Sequence, residues 1–151
     1  EAAAASALVI RPPPGSTRLP IASPVRSPPL VELVRSDSAE GKAKAAAALG
    51  NLAANAENQV TIASAGAIPP LVELVRSSSA EGKANAVAAL RILAANNAEN
   101  QVTIASAGAI PPLVELVHSG SAEGKANAAT ALSNLAANNA ENQATIASAG
   151  V

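Results

Sequence analysis

Apolar residues along this chain recur at helical spacing, in short segments that Pro and Gly separate. In the middle of the chain, Leu71, Leu74 and Val75 fall at positions i, i+3 and i+4, which places them on one stripe of a helix. The preceding pair Pro69-Pro70 suits the first turn of a helix and prevents an earlier helix from running through. We therefore predict a short amphipathic helix that starts at this Pro pair and ends near Arg76, whose cation suits the end of a helix dipole.

Two further helices are predicted around this one. An Ala-rich segment of roughly Ala80–Asn96 carries the apolar anchors Leu90 and Leu93, and alanine has the highest helix propensity. Another segment, Glu99–Ala107, stops at Gly108, where glycine can adopt the left-handed conformation that ends many helices. The predicted order is a short helix, a glycine stop, a Pro-opened helix and a long helix.

The start of the long helix carries a capping signal. Ser78 stands three residues before Glu81, which is the spacing of a capping box. We expect a good N-cap at Ser78 and at the corresponding aspartate, and a weaker cap at the corresponding glycine. The corresponding pairs are Asp37 with Glu40 and Gly120 with Glu123.

The whole pattern occurs three times. Pro28–Ile68, Pro69–Ile110 and Pro111–Val151 are near copies of one unit, with 41 residues between the first two starts and 42 between the next two. The extra residue is an asparagine, because Asn96-Asn97 in the second copy stands where the first copy has Asn55 alone. A period of about 40 residues is typical of α-solenoids, in which each unit covers the apolar face of its neighbour.

Composition narrows the available chemistry. The chain contains no Phe, Trp, Tyr, Met or Cys and a single His, so its core must be built from Ala, Leu, Ile and Val. Thiolate catalysis and clustered zinc sites therefore lack their residues, and we expect no enzyme activity, no cofactor and no metal. The net charge of −1 and the lack of aromatic platforms argue against nucleic acid as a partner. No apolar run approaches the roughly 18 residues of a membrane span.

Residues 1–27 differ from the repeated part, since they are rich in Pro, Ser and Arg. They could be a remnant of an organelle transit peptide, but a disordered leader or a decayed repeat is favoured. The decayed repeat is suggested by Ile21-Ala22-Ser23, which precedes the first Pro pair as Ile62-Ala63-Ser64 precedes the second. An intracellular location is favoured, in the cytoplasm or nucleus, with an organelle as the alternative if the segment is a transit remnant.

The repeated phrase resembles a known family. Residues 99–117, ENQVTIASAGAIPPLVELV, resemble the first and second helices of an armadillo repeat, and residues 131–136, ALSNLA, resemble its third helix. The likeness is strongest to plant and algal armadillo proteins. It implies an all-α fold, a right-handed α-solenoid of three-helix units, for which a HEAT-type array of two-helix units is the nearest alternative. The implied divisions are a partial repeat at 28–56, full repeats at 57–97 and 98–139, and a partial repeat at 140–151.

The resemblance also implies a function. Armadillo arrays are non-catalytic scaffolds whose third helices line a concave groove that holds an extended segment of a partner protein. An Asn of each third helix commonly bonds the peptide backbone, and the matching positions here are Asn51 and Asn134, with Ile92 between them. Importin-like members also hold lysine side chains with a third-helix Trp, and this chain contains no Trp. The resemblance therefore does not extend to that mode of recognition.

Differences among the three copies gather in the long helix. Positions 44, 47 and 51 of the first copy vary and share one helix face, whereas the core leucine pairs never change. Either this face was diversified to contact a partner, or it drifted neutrally because it is exposed. On the first interpretation, Lys44 and Arg91 select side chains of the partner. The candidate peptide-binding residues are Asn51, Asn134, Lys44, Asn85, Asn127, Thr130, Arg91 and Ile92.

Other features have simpler interpretations. His118 is best explained as a solvated residue at a helix end, and Glu57-Asn58-Gln59 as residues of a helix start rather than catalysts. The pairs Asn96-Asn97 and Asn138-Asn139 could extend a polar ladder, but a loop is favoured. The alternative to the scaffold function is a structural array without a peptide ligand, which self-associates end to end through uncapped ends.

Overall fold

The computed structural model describes residues 29–36, 38–77 and 79–151, and all regular structure within these ranges is α-helical. The Pro-rich segment of residues 1–27, expected to be irregular, lies outside the described residues. The described helices are, in chain order, α1 Pro29–Val34, α2 Ala39–Leu52, α3 Ala56–Ser64, α4 Ile68–Val75, α5 Ala80–Ala94, α6 Ala98–Ser106, α7 Ile110–Ser119, α8 Ala122–Ala136 and α9 Ala140–Ser148.

The helices form units of three. A short first helix, a Pro-opened second helix and a long third helix follow one another in α3–α5 and again in α6–α8. The pair α1–α2 corresponds to the second and third helices of such a unit, and α9 corresponds to a first helix. The three-helix unit confirms the predicted armadillo-type solenoid and excludes the two-helix alternative.

Glycine ends each first helix, as the sequence predicts. Gly66, Gly108 and Gly150 have φ angles of 85°, 87° and 88°, in the region that favours glycine. The second helix of each complete unit then begins at Ile68 or Ile110, one residue before its Pro pair. The prolines fall in the first turn, where a missing amide hydrogen costs no helical hydrogen bond.

The N-caps of the long helices are one residue later than the capping-box prediction, which was wrong. The positions named for α2 and α5, Asp37 and Ser78, lie outside the described residues, but both helices begin after the following serine. In all three long helices this serine accepts the main-chain N–H three residues further on, at 3.0 Å. A serine in extended conformation directly before the helix supplies the acceptor, whatever residue precedes it. The caps are Ser38, Ser79 and Ser121.

Paired asparagines form the loop between a long helix and the next first helix, as favoured from the sequence. The long helix α5 ends at Ala94, and Asn96 has a φ of 54°, a left-handed conformation that asparagine tolerates. Asn97 then caps α6, because its Oδ1 accepts the main-chain N–H of Asn100 at 2.9 Å. The same left-handed turn occurs at Asn138. The inserted asparagine therefore supplies the left-handed residue of this turn.

The core is a continuous row of aliphatic side chains along the stack. The long helices carry it, since α5 contacts α2 on one side and α8 on the other. Alanines at these contacts are buried and let the helices approach closely, whereas leucines and isoleucines fill the space between helices of one unit. The largest fully buried side chains are Ile68, Leu71, Leu90, Leu93, Ile104, Ile110, Leu113 and Leu135.

Membrane-spanning length is not reached by any one helix of the described ranges. The helices α6 and α7 have sufficient length and apolar character only when taken together, and they meet at an angle of 83°.

Candidate functional site

The long helices α2, α5 and α8 lie side by side and form one surface of the molecule. Their close approach depends on small residues: a Cβ built on Gly50 of α2 would lie 3.4 Å from Cα of Ala89 in α5. Corresponding positions of the three helices therefore stand next to one another across the stack. We call the surface formed by positions 44, 47 and 51 of α2, 85, 88 and 92 of α5, and 127, 130 and 134 of α8 the groove face.

Every residue of the groove face is at least partly exposed. By contrast, the first leucine of each pair on the same helices is buried: Leu49, Leu90 and Leu132. The varying positions of the groove face are therefore open to solvent, whereas two other varying positions of the long helices are buried, at Ala46 and Val87 and at Gly50.

Two asparagines of the groove face bind the neighbouring long helix. Asn85 of α5 donates from Nδ2 to the carbonyl oxygen of Ala43 in α2, at 2.9 Å. Asn134 of α8 donates in the same way to the carbonyl oxygen of Arg91 in α5, also at 2.9 Å. Both side chains are half-buried. These asparagines join adjacent long helices, a contribution that their positions in the sequence did not reveal.

The other predicted groove residues are placed differently. Asn51 is exposed and makes no side-chain hydrogen bond within the described part of the chain. Ile92, which interrupts the predicted asparagine ladder, is half-buried and packs against the core. Thr130 is exposed and donates to the carbonyl oxygen of Ala126 within its own helix, at 3.0 Å. Asn127 is half-buried between α5 and α8, where it lines a crevice of about 260 Å³.

Cations accompany the groove face. Lys44 is exposed and its Nζ lies 3.8 Å from a carboxylate oxygen of Glu40, one turn earlier. Arg91 is half-buried, and its Nε is buried without a hydrogen-bond partner among the described residues. A guanidinium nitrogen in that state favours an acceptor brought by a ligand. None of the nine positions of the groove face holds Asp or Glu.

Amide side chains of the first helices form a buried network that sequence reasoning missed. Gln59 of α3 donates from Nε2 to the carbonyl oxygens of Ala53 and Ile92, at 3.1 Å each, and so joins the ends of α2 and α5. Asn100 of α6 donates to the carbonyl oxygen of Leu93 at 2.9 Å. Asn58 and Gln59 lie at the start of α3, as expected, and their amides also bind carbonyl oxygens, that of Leu52 in the case of Asn58. The sequence offered one signal for this network, because the tripeptide Glu-Asn-Gln is identical in all three copies.

A second set of contacts joins the end of a second helix to the glycine that ends the first helix of the next unit. Arg76, after α4, donates from Nη2 to the carbonyl oxygen of Gly108 at 3.0 Å, and its Nη1 lies 3.5 Å from Glu73. His118 of α7 makes the corresponding contact, with Nε2 at 3.1 Å from the carbonyl oxygen of Gly150. His118 is exposed in the last turn of its helix, as expected from the sequence, and it also contacts the next glycine stop.

No cluster of three or more His, Cys, Asp and Glu side chains that could hold a metal ion occurs in the described ranges. What the arrangement offers chemically is a long open face of amides and cations, suited to noncovalent binding.

The chain belongs to the armadillo repeat family. Its sequence matches the family model of the Armadillo/beta-catenin-like repeat twice, at residues 55–95 and 97–137. Each match contains one complete three-helix unit. No curated protein sequence matches the chain.

Solved structures with the same fold include designed proteins. A computationally designed armadillo repeat protein for modular peptide recognition is 41% identical, with a TM-score of 0.76, over 81% of this chain and 52% of that one. A designed armadillo repeat protein in complex with the peptide (KR)4 is 36% identical, with a TM-score of 0.76, over 81% of this chain and 52% of that one.

A natural protein shows the same fold at lower identity. The armadillo repeats only protein of Plasmodium falciparum is 24% identical, with a TM-score of 0.68, over 73% of this chain and 47% of that one. The chain thus spans about half the length of these three structures.

Proposed function

We propose that this chain is a binding module that holds an extended segment of a partner protein along the groove face. One observation carries the proposal: the residues that vary between the copies, and that stay open to solvent, lie together on adjacent long helices. This face carries amides, a hydroxyl and a cation, which are groups that can bond a peptide. The structural relatives named for peptide recognition support the same use of the fold.

The backbone of the bound segment would be held by asparagine. Asn51 has both its amide and its carbonyl oxygen available to a ligand within the described structure. Asn134 uses one amide hydrogen on Arg91 and retains the second hydrogen and Oδ1. Ile92, between them, would contribute apolar contact rather than a hydrogen bond. The segment is therefore held at its two ends and packed at its centre.

The side chains of the bound segment would include carboxylates. The nine positions of the groove face hold no acidic residue, although Glu40 lies 3.8 Å from Lys44 one turn earlier. Lys44 and Arg91 place positive charge on or beside this face, and Nε of Arg91 is buried without an acceptor in the described residues. The designed relative was solved with a basic peptide, and the charges of this groove face suit the opposite choice. An acidic segment would bind through charge-assisted hydrogen bonds, which weaken as salt rises.

Fluorescence anisotropy with labelled peptides of equal length tests the proposal. The probes are (DE)4, (KR)4 and an uncharged (GS)4, titrated with the 151-residue chain at low and high salt. We expect (DE)4 to bind most tightly and to lose affinity with added salt. Lys44→Ala should weaken its binding roughly twofold to fivefold, as expected for an exposed ion pair.

Matched variants separate groove binding from general charge attraction. Lys125→Ala removes an equally exposed lysine of α8 that lies off the groove face, and it should leave the affinity unchanged. Asn51→Ala is the cleaner test of backbone binding, because Asn134→Ala also removes the bond to Arg91. Binding that is equal for all three peptides, or that responds equally to both lysine variants, would contradict the groove proposal.

A further inference from the structure

An apolar groove opens at the end of the stack formed by α1, α2 and α3. It has a volume of about 280 Å³, and Leu30, Leu52 and Ile62 contribute to its apolar walls. The only polar side chains in its lining are Asn58 and Thr61 of α3. No helix of the described residues covers this groove.

The leucines that correspond to Leu52 in the later units are buried. Leu52 is 44% exposed, whereas the corresponding Leu93 and Leu135 are 0% and 1% exposed. In the unit of Leu135 the first helix contacts the long helix, α6 against α8, whereas α2 has no preceding first helix among the described residues. The groove at α1 and α2 is therefore the place of a first helix.

Asparagine of the first helix bonds the preceding first helix. Asn100 donates from Nδ2 to the carbonyl oxygen of Gln59 in the preceding first helix, and Asn142 donates to that of Gln101. Both asparagines are buried. Asn58, in α3, is only half-buried and bonds Leu52 of the described residues. Within the described ranges, no glutamine carbonyl of a preceding first helix accepts from it.

The opposite end of the stack carries such a helix. In α9, Gln143 is exposed, while the corresponding Gln59 and Gln101 are buried because a further unit follows them. Ala147 of α9 is exposed as well, whereas the corresponding Ala105 lines the crevice between α6 and α9. The exposed side of α9 is thus the side that contacts a following unit elsewhere in the stack.

We propose that α9 of one copy binds in the groove of a second copy and serves as the first helix of its α1–α2 unit. There, the carbonyl oxygen of Gln143 would accept from Asn58, as Gln59 accepts from Asn100 within the chain. The helix α9 differs from α3 and α6 only at Ala144, where they hold Val60 and Val102. Those valines are 54% and 52% exposed even beside a following helix, so alanine there removes little contact.

The chain's own residues 15–23 are the competing occupant. In the sequence they align with α3 at a spacing of 41 residues, and Ile21 corresponds to Ile62. However, Pro20 stands where α3 has Thr61, in the middle of the helix. Proline there removes a helical hydrogen bond and clashes with the preceding turn, whereas α9 has no such defect. We therefore commit to α9 of a second copy as the occupant. Such a contact joins two different surfaces, so it extends head to tail instead of closing as a two-fold dimer.

Light scattering coupled to gel filtration, over a wide range of concentrations, measures the association of the 151-residue chain. We expect the mass to rise with concentration above the 14.7 kDa of one chain. Leu52→Glu places a charge in the groove, and Ala147→Arg places one on the exposed side of α9. Each variant alone should stay monomeric, with unchanged helical circular dichroism because both residues are exposed. Val102→Glu, at an exposed position inside the stack, is the control and should associate like the parent chain.

Mixing the two variants gives the sharpest outcome. The Leu52→Glu chain keeps an intact α9 and the Ala147→Arg chain keeps an intact groove, so together they should form a complex of two chains and nothing larger. A parent chain that stays at the mass of one copy at every concentration overturns the proposal. So does association that survives Leu52→Glu, or a mixture that remains monomeric. These results leave the peptide proposal untouched, because its test uses different residues.

Discussion

The glycine that ends each first helix has two functions at the scale of the residue. Gly108 adopts a φ of 87°, and its carbonyl oxygen accepts from Nη2 of Arg76 in the preceding unit. A Cβ at this position would lie 3.1 Å from that same Nη2. Glycine is therefore favoured by its backbone conformation, and a side chain there would also displace the end of the arginine by a few tenths of an ångström.

Replacing Gly108 by alanine should lower the free energy of unfolding by more than the backbone conformation alone explains. A left-handed conformation costs an L-residue about 1–2 kcal/mol, and displacement of Arg76 adds to this. Gly150→Ala is the matched control, because its φ is 88° and no atom lies within 4 Å of the added Cβ. Urea denaturation followed by circular dichroism measures both variants. Equal losses would show that the arginine contact contributes nothing.

These residues show what the sequence can and cannot predict at this scale. The left-handed glycines were predictable, because a glycine stop after a helical segment is a local signal. The bond from Arg76 to Gly108 was not, since it joins residues that are 32 positions apart. The same limit applies to Asn85 and Asn134, whose bonds depend on how closely neighbouring long helices pack. The candidate groove residues could be chosen by face, but their internal partners could not.

Asparagine before a first helix acts at the scale of the element. Asn97 caps α6, and its Nδ2 also donates to Oε1 of Gln59 at 3.2 Å, which joins α6 to the previous unit. Asn139 caps α9 in the same backbone conformation, with a matching bond to the main-chain N–H of Asn142. The two caps are thus alike, and Asn97 has the additional bond.

Asn97→Ala should destabilise the chain more than Asn139→Ala. Loss of an asparagine cap costs about 1 kcal/mol, and loss of the bond to Gln59 adds about 0.5–1.5 kcal/mol. Hydrogen exchange of α6 and α9 amides, together with chemical denaturation, measures both effects. If the two variants have the same unfolding free energy, the bond between the units is not stabilising.

Element boundaries show a comparable limit of prediction. Helix type, order and approximate length followed from apolar spacing, Pro pairs and Gly stops. The caps were placed one residue early, because a capping box with Glu at the third position competes with the serine that directly precedes the helix. The extended backbone of Ser79 shows that this serine, and not the residue before it, is the N-cap of α5. The sequence does not reveal that backbone conformation.

At the scale of the whole molecule, a residue's environment depends on its place in the stack. Leu52, Leu93 and Leu135 occupy the same position of three long helices, yet Leu52 is largely uncovered and the others are buried. The repeat period predicts their equivalence and not this difference. Stability in such an array depends on contacts between neighbouring units, so identical residues should contribute unequally.

Alanine substitutions at these three leucines test that inequality. Leu93→Ala and Leu135→Ala should each cost about 2–5 kcal/mol, because they leave cavities in a packed core, while Leu52→Ala should cost less than about 1 kcal/mol in dilute solution. Urea unfolding at two protein concentrations measures the three losses.

At high concentration the cost of Leu52→Ala should increase, since α9 of a second copy would then cover Leu52 in the parent chain and binding would add to its stability. A Leu52→Ala cost that stays small at both concentrations would mean that the groove remains open to water, whereas a large cost even in dilute solution would mean that part of the same chain covers it.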